Sequence, residues 1–145
     1  MEYANRVELP VGNSPMAFCD KNMKVKPIKL ETIDGRIFSL TLNKVYEVLG
    51  IEADNYRLLD DGNKLNDYRD PVLFEPEYFE IIDPGEPDFW VTEIGEEGER
   101  YCYPLEWLPV GFFEDFHNDI KIVKETFWSG VEKYYPYTWH EIHGK

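Results

Sequence analysis

Asp83-Pro84-Gly85-Glu86-Pro87 limits the possible folds more than any other stretch of the chain. Two prolines fix φ and remove two backbone donors, and the glycine between them favours a turn. Neither a helix nor a central strand can continue through it. The segments on either side must therefore meet by packing. With 145 residues there is material for one core of ordinary size. The expectation is a single compact domain over 1–145. Its parts are an arm at 1–24, a β unit at 25–82, a β-hairpin unit at 88–108 and a helical region at 111–135.

The β unit announces itself through short apolar runs closed by turn residues. Val25, Ile28, Leu30 and Ile33 lead into Asp34-Gly35, and Ile37, Phe38, Leu40 and Leu42 follow. Asp-Gly between two such runs is a hairpin signal whose type I′ form needs positive φ at both residues. Val45 to Leu49 reads as a strand closed by Gly50, and Tyr56 to Leu59 as one ending at Asp60-Asp61-Gly62. A polar excursion from Asn63 to Asp70 precedes Val72-Leu73-Phe74. Pro76 opens a turn carrying Tyr78 and Phe79, and Ile81-Ile82 returns to strand. Many short strands joined by tight turns point to a small barrel or a strongly bent sheet.

Beyond the breakpoint, Phe89 to Ile94 and Arg100 to Tyr103 flank the turn Gly95-Glu96-Glu97-Gly98, a second hairpin. It echoes the first unit: strand, acidic turn, strand, proline, short turn, large aromatic, with Pro76 and Phe79 matched by Pro104 and Trp107. From Gly111 the period changes. Phe112, Phe116, Ile120, Val123, Phe127 and Val131 recur every three or four residues, the stripe of a helix packed on a core. Asn118 or Asp119 is placed to cap a second helix. Pro136 is expected to end it and leave Tyr137, Trp139, His140 and His143 in a frayed tail.

Charge narrows the function classes. The formal net charge is −14, close to neutral over the first fifty residues and strongly negative after them. Binding through phosphate contacts needs clustered Lys and Arg, so neither nucleic acid nor an anionic membrane surface is an expected partner. Between Glu80 and Glu99 stand eight acidic residues and no basic one, around Phe89, Trp90, Val91 and Ile94. Such a stretch serves as a solvated face that keeps the protein soluble, or as a surface for a basic partner. The first residues carry no basic segment followed by an apolar run, and no stretch is apolar enough to span a membrane. Cys19 and Cys102 lack zinc or redox spacing. Reduced thiols in a cytoplasmic protein are expected.

The order Lys29-Leu30-Glu31-Thr32, Asp34-Gly35, Lys44-Val45-Tyr46-Glu47-Val48-Leu49-Gly50, Tyr56-Arg57-Leu58-Leu59-Asp60-Asp61-Gly62 and Leu73-Phe74-Glu75-Pro76-Glu77-Tyr78-Phe79-Glu80 resembles small bacterial and phage SH3-like barrels. Those carry a strand, K-x-Y-x-V, a strand, D-x-x-G, a strand and x-P-x-x-x-F in that order. The resemblance covers residues 29–82 and speaks to fold. Tyr103-Pro104, Trp107 and Gly111-Phe112-Phe113-Glu114-Asp115-Phe116 are similar to segments among the small acidic immunity proteins of polymorphic and contact-dependent bacterial toxin systems. That resemblance implies a protein partner and supplies no functional residue. The fold expected is α+β, an SH3-like small β-barrel followed by a β-hairpin and one or two C-terminal helices.

Catalytic patterns are sparse. His140-Glu141-Ile142-His143 lacks the spacing and the third ligand of a zinc protease, so no metal is expected. Glu114, Asp115, His117 and Asp119 suit the solvent side of a helix. An enzyme would require a deep pocket lined by two buried carboxylates or by His117. No phosphate loop, nucleophile elbow or cofactor fingerprint occurs. The leading reading is a non-catalytic acidic protein without cofactor, an immunity protein that occludes the active surface of a basic toxin. Asp88, Glu93, Glu96, Glu97 and Glu99 would supply charge, and Tyr134, Tyr135, Tyr137 and Trp139 would anchor the contact. The alternative is an SH3-like adaptor or scaffold module binding a peptide or a larger assembly, with Tyr46, Tyr56 and Phe74 near its groove.

Overall fold

The computed structural model describes residues 21–62 and 69–143. Its strands are β1 (Lys24–Pro27), β2 (Tyr46–Glu47), β3 (Gly50–Glu52), β4 (Asn55–Leu59), β5 (Pro71–Phe74), β6 (Phe79–Asp83), β7 (Trp90–Ile94) and β8 (Arg100–Pro104). Three helices follow: α1 (Phe112–His117), α2 (Lys121–Tyr134) and α3 (Pro136–His143). The class is α+β. The strands form two antiparallel sheets, ordered β2-β1-β6 and β5-β4-β3-β8-β7. Residues 1–20 of the expected arm at 1–24, with Cys19, and residues 63–68 of the excursion from Asn63 to Asp70 lie outside the described residues; the arm's last residue, Lys24, begins β1.

Asp83 to Pro87 interrupts the chain without dividing the sheets. β8 returns to pair with β3, Ile51 opposite Cys102 and Glu52 opposite Tyr101. β6, which precedes the break, pairs with β1 instead. The second hairpin therefore extends the sheet of the first unit. Strand alternation then sorts the side chains. Ile51, Tyr56, Leu58, Phe74, Trp90 and Cys102 enter one core with Val25, Tyr46 and Val48. Leu49, Leu59 and Tyr103 enter a second core with Trp107, Phe127, Val131 and Tyr135. Among the described residues β7 pairs on one side only, so it is a sheet edge.

Several turns differ from their sequence reading. At Asp34-Gly35 only Gly35 has positive φ, +89°. Its N–H donates to the Thr32 carbonyl, and the strands reduce to a bridge between Glu31 and Ile37. The tight hairpin lies instead between β3 and β4, where Ala53 and Asp54 both have positive φ, 50° and 67°. Gly50 begins β3 where a strand end was expected. A Cβ there would lie 2.1 Å from the Tyr103 ring, so the glycine admits that ring onto the sheet. The two prolines of the echo do play similar parts: Pro76 opens a 3-10 turn, and Pro104 caps another at Leu105–Trp107.

The helical stripe is also divided. α1 ends at His117 and Asp119 has φ of 63°. Neither Asn118 nor Asp119 caps α2 through its side chain; Ile120 holds the cap position and Asp119 pairs with Lys124 at 2.7 Å. Phe112, Phe116, Phe127 and Val131 are buried, but Ile120 is exposed. Pro136 does not end the helical region. It occupies the first position of α3, where its missing N–H and fixed φ are tolerated. The expected frayed tail is thus a helix. Its start is held by Glu47, whose Oε1 accepts the Thr138 N–H at 2.8 Å and the Thr138 hydroxyl at 2.7 Å. No helix among the described residues is long and apolar enough to cross a membrane.

Two side chains seal the second core. The Tyr135 hydroxyl donates to the Leu49 carbonyl at 2.6 Å and accepts the Trp90 Nε1–H at 2.9 Å. Burial pushes its pKa well up, so it stays neutral and able to donate. Trp107 stacks between Phe127 and Tyr135, with centroids at 4.8 and 5.6 Å. Its indole lies under Gly130 of α2, where a Cβ would come within 2.7 Å of Nε1. Tyr135→Phe is expected to cost about 1–3 kcal/mol in urea denaturation, because it strands the Leu49 carbonyl and the Trp90 donor. Gly130→Ala is expected to lose about 1–3 kcal/mol through overpacking, outweighing a helix-propensity gain of about 1 kcal/mol. A stabilised Gly130→Ala variant would contradict this packing.

Candidate functional site

The acidic residues named from sequence gather on the second hairpin. Glu93 lies on β7, Glu96 and Glu97 in the turn, and Glu99 just before β8. Asp88 stands before the root of β7, fully on the surface. Among the described residues none of these five forms an ion pair, although Glu86 nearby holds Arg100 at 2.7 Å. Glu99 is the one organised internally. Its carboxylate accepts the Glu97 N–H at 2.9 Å and the Tyr101 hydroxyl at 3.2 Å. Backbone hydrogen bonds, its own first, hold its pKa below the usual range and keep it charged.

The aromatic anchors lie elsewhere. Trp90 at the hairpin root meets Tyr135, so the helical tyrosines adjoin the root. The turn is about 16 Å away along the strand. Tyr134 is half-buried, stacked on Phe89 at 4.4 Å, and its hydroxyl donates to Glu106 at 2.9 Å. Tyr137 is half-buried with the Lys24 ammonium 5.8 Å from its ring. Trp139 is half-buried against His143 at 3.9 Å. Tyr135 is 0% exposed and belongs to the core, so it is withdrawn from the anchor set. Glu96 and Glu97 in the turn thus lie at the far end of the hairpin from Tyr134, whereas Asp88 lies beside Phe89 at the root. Tyr46, Tyr56 and Phe74, expected near a groove, are buried as well.

Sequence reasoning missed a cleft of about 530 Å³ on the face of the five-stranded sheet that α1 only partly covers. β3 and β4 supply Glu52 and Arg57, and β7 and β8 supply Glu93, Tyr101 and Tyr103. Phe112, Phe113, Glu114 and His117 come from α1. Cross-strand register brings them together: Glu52 faces Tyr101, and Tyr101 faces Glu93. None of that is visible without knowing that β8 pairs with β3.

Arg57 forms the floor and is only 6% exposed. Its Nε donates to the Tyr103 hydroxyl at 2.9 Å, one terminal nitrogen to the Pro71 carbonyl at 3.0 Å, and the other to Glu52 Oε1 at 2.7 Å. Tyr103 donates to the same carboxylate oxygen at 2.7 Å. The guanidinium also lies 4.0 Å from the centroid of the Phe113 ring. Burial raises the Tyr103 pKa far above its ordinary value, so the phenol remains a donor. His117 lines the cleft and is exposed. None of the three carboxylates there is buried: the Glu52 side chain is 37% exposed, and Glu93 and Glu114 are exposed.

His140 and His143, at the end of α3, do not form a metal centre with other ligands among the described residues. Glu141 between them pairs with Lys44 at 2.5 Å and with Arg69 at 3.6 Å. Comparison with protein-family models, with curated proteins and with solved structures finds no match.

Arg57→Ala should destabilise the protein by about 3 kcal/mol, because it leaves Glu52 and the Tyr103 hydroxyl without their partner. Arg57→Lys should recover only part of that, since one ammonium cannot span three acceptors. Denaturation midpoints test both; equal stability of all three proteins would remove Arg57 from its structural role.

Proposed function

We propose that the protein is a non-catalytic acidic binding protein that neutralises a basic partner by occlusion. The biological setting that fits best is immunity against a basic bacterial toxin, such as a nuclease, acting in the cytoplasm. The observation that carries the proposal is the set of five carboxylates at Asp88, Glu93, Glu96, Glu97 and Glu99, none of which forms an ion pair among the described residues. Elsewhere on the surface Glu75, Glu80, Glu86, Glu106 and Asp119 each hold a Lys or Arg. Uncompensated charge in one hairpin costs self-repulsion, a cost that a basic partner would relieve. It would also raise the association rate, which matters when a toxin must be caught before it acts. The proposal includes the small-barrel ancestry suggested by residues 29–82.

The contact is centred on the hairpin and the cleft beside it. Tyr134, stacked on Phe89 at the hairpin root, supplies a secondary contact, and Tyr137 and Trp139 on α3 extend it. The decisive experiment is co-expression with the toxin domain encoded by the neighbouring gene. Protection and co-purification are expected. No protection and no binding would end the immunity reading. The variant Asp88→Asn/Glu93→Gln/Glu96→Gln/Glu97→Gln should fold normally, bind about ten times more slowly or worse, and lose most of the salt dependence of its on-rate. An unchanged on-rate by stopped-flow would show that these charges do not steer the partner.

A further inference from the structure

We infer that the cleft is a receptacle for one arginine side chain, presented by the basic partner proposed above and resting on that reading for its source. The inference starts from the charges that face the cavity. Glu52, Glu93 and Glu114 are opposed by Arg57 alone. Arg57 is already spent, since Glu52, Tyr103 and the Pro71 carbonyl hold its guanidinium. Glu93 and Glu114 are left facing one open volume, and among the described residues neither forms an ion pair. His117, Tyr101 and Tyr103 are the other ionisable groups of the lining.

The walls decide which cation fits. A strongly hydrated ammonium ion gains little from aromatic walls, whereas a guanidinium is planar, weakly hydrated and stacks on rings. Tyr101 is the half-exposed ring of the lining, and the buried Phe112, Phe113 and Tyr103 make the apolar base behind it. The floor already shows this mode of binding. Arg57 lies over the Phe113 ring at 4.0 Å while a carboxylate and a phenol accept its N–H groups. The mouth repeats the same residue types in Tyr101, Glu93 and Glu114. A volume of about 530 Å³ falls within the range of ligand pockets and admits a side chain together with its flanking backbone. Val110, fully exposed at the rim, offers an apolar contact for the methylene stem.

The test uses N-acetyl-arginine amide as the probe, titrated into the full chain at about 0.15 M salt so that diffuse attraction is screened. Saturable NMR shifts are expected at His117, Gly111 and Tyr101. The lysine analogue should bind about tenfold more weakly, and the neutral citrulline analogue should not bind. The double variant Glu93→Gln/Glu114→Gln, both sites exposed and therefore foldable, should weaken the arginine probe about tenfold. Glu96→Gln/Glu97→Gln, charged equally but outside the cleft, should leave its affinity within about twofold. Absence of saturable shifts would overturn the inference, as would equal binding of citrulline or lysine, or equal loss in the two double variants. Toxin binding is read separately by co-purification. Capture of a toxin by a protein whose cleft ignores the probe would sink the receptacle and leave the proposed function standing. Probe binding without any toxin partner would do the reverse.

Discussion

The fold depends on one buried carboxylate. Glu47 is 2% exposed, and its two oxygens are shared between distant parts of the chain. One accepts the backbone N–H and the hydroxyl of Thr138 at the start of α3. The other accepts an Asn22 N–H at 2.7 Å, and the same amide nitrogen donates to the Tyr134 carbonyl at 2.8 Å. A charge taken out of water is tolerated only when its lone pairs are met, and the first turn of a helix has the donors to meet them. The short strand β2, the residues leading into β1, the end of α2 and the start of α3 are thereby fixed together. The direction of α3 is set by this bond more than by its own propensity, because an eight-residue helix opened by proline is marginal alone.

From that tie the two cores follow. With α2 and α3 held beside β2, Tyr135 reaches the Leu49 carbonyl and receives the Trp90 indole. Trp107 fills the space beneath Gly130, and α1 lies over Tyr103 and Arg57. The helices cover the five-stranded sheet only as far as Phe113. Beyond it, the row Glu52, Tyr101 and Glu93 stays open. The cleft is therefore the uncovered remainder of a sheet face, and its polarity comes from strand residues that had no apolar layer to meet.

What could be read from the residues depended on the range of the interaction. The break at Asp83 to Pro87, the second hairpin, the helical stripe and the α+β class rest on local periodicity and turn chemistry, and these were legible. The hairpin at Ala53-Asp54 was not, because neither residue advertises positive φ as Asn-Gly does. Gly50 was read as a strand end because its reason is the Tyr103 ring, more than fifty residues away. Pro136 was read as a stop because the carboxylate that accepts the donors at the start of α3 belongs to Glu47, far away in sequence. Tyr135 was expected among the contact anchors because its own helix shows no partner for it. The sheet supplied a second wall. The cleft was invisible for the same reason: its members come from five elements, joined by register and by nothing in the sequence near any of them.

β7 is a sheet edge whose outer backbone groups have no neighbour among the described residues, and such an edge invites pairing with an identical edge on a second molecule. Glu93 sits on that strand, with Glu96 and Glu97 beyond its end. Two copies brought edge to edge would set like charges against one another. The carboxylates thus give the strand a sense of self and other: they turn away its own kind while leaving the edge open to a chain of opposite charge. An assembly that neutralised them without covering the edge would leave it free to pair with the same edge of a second copy. Any stable complex at this hairpin therefore has reason to bury the strand as well as the charge.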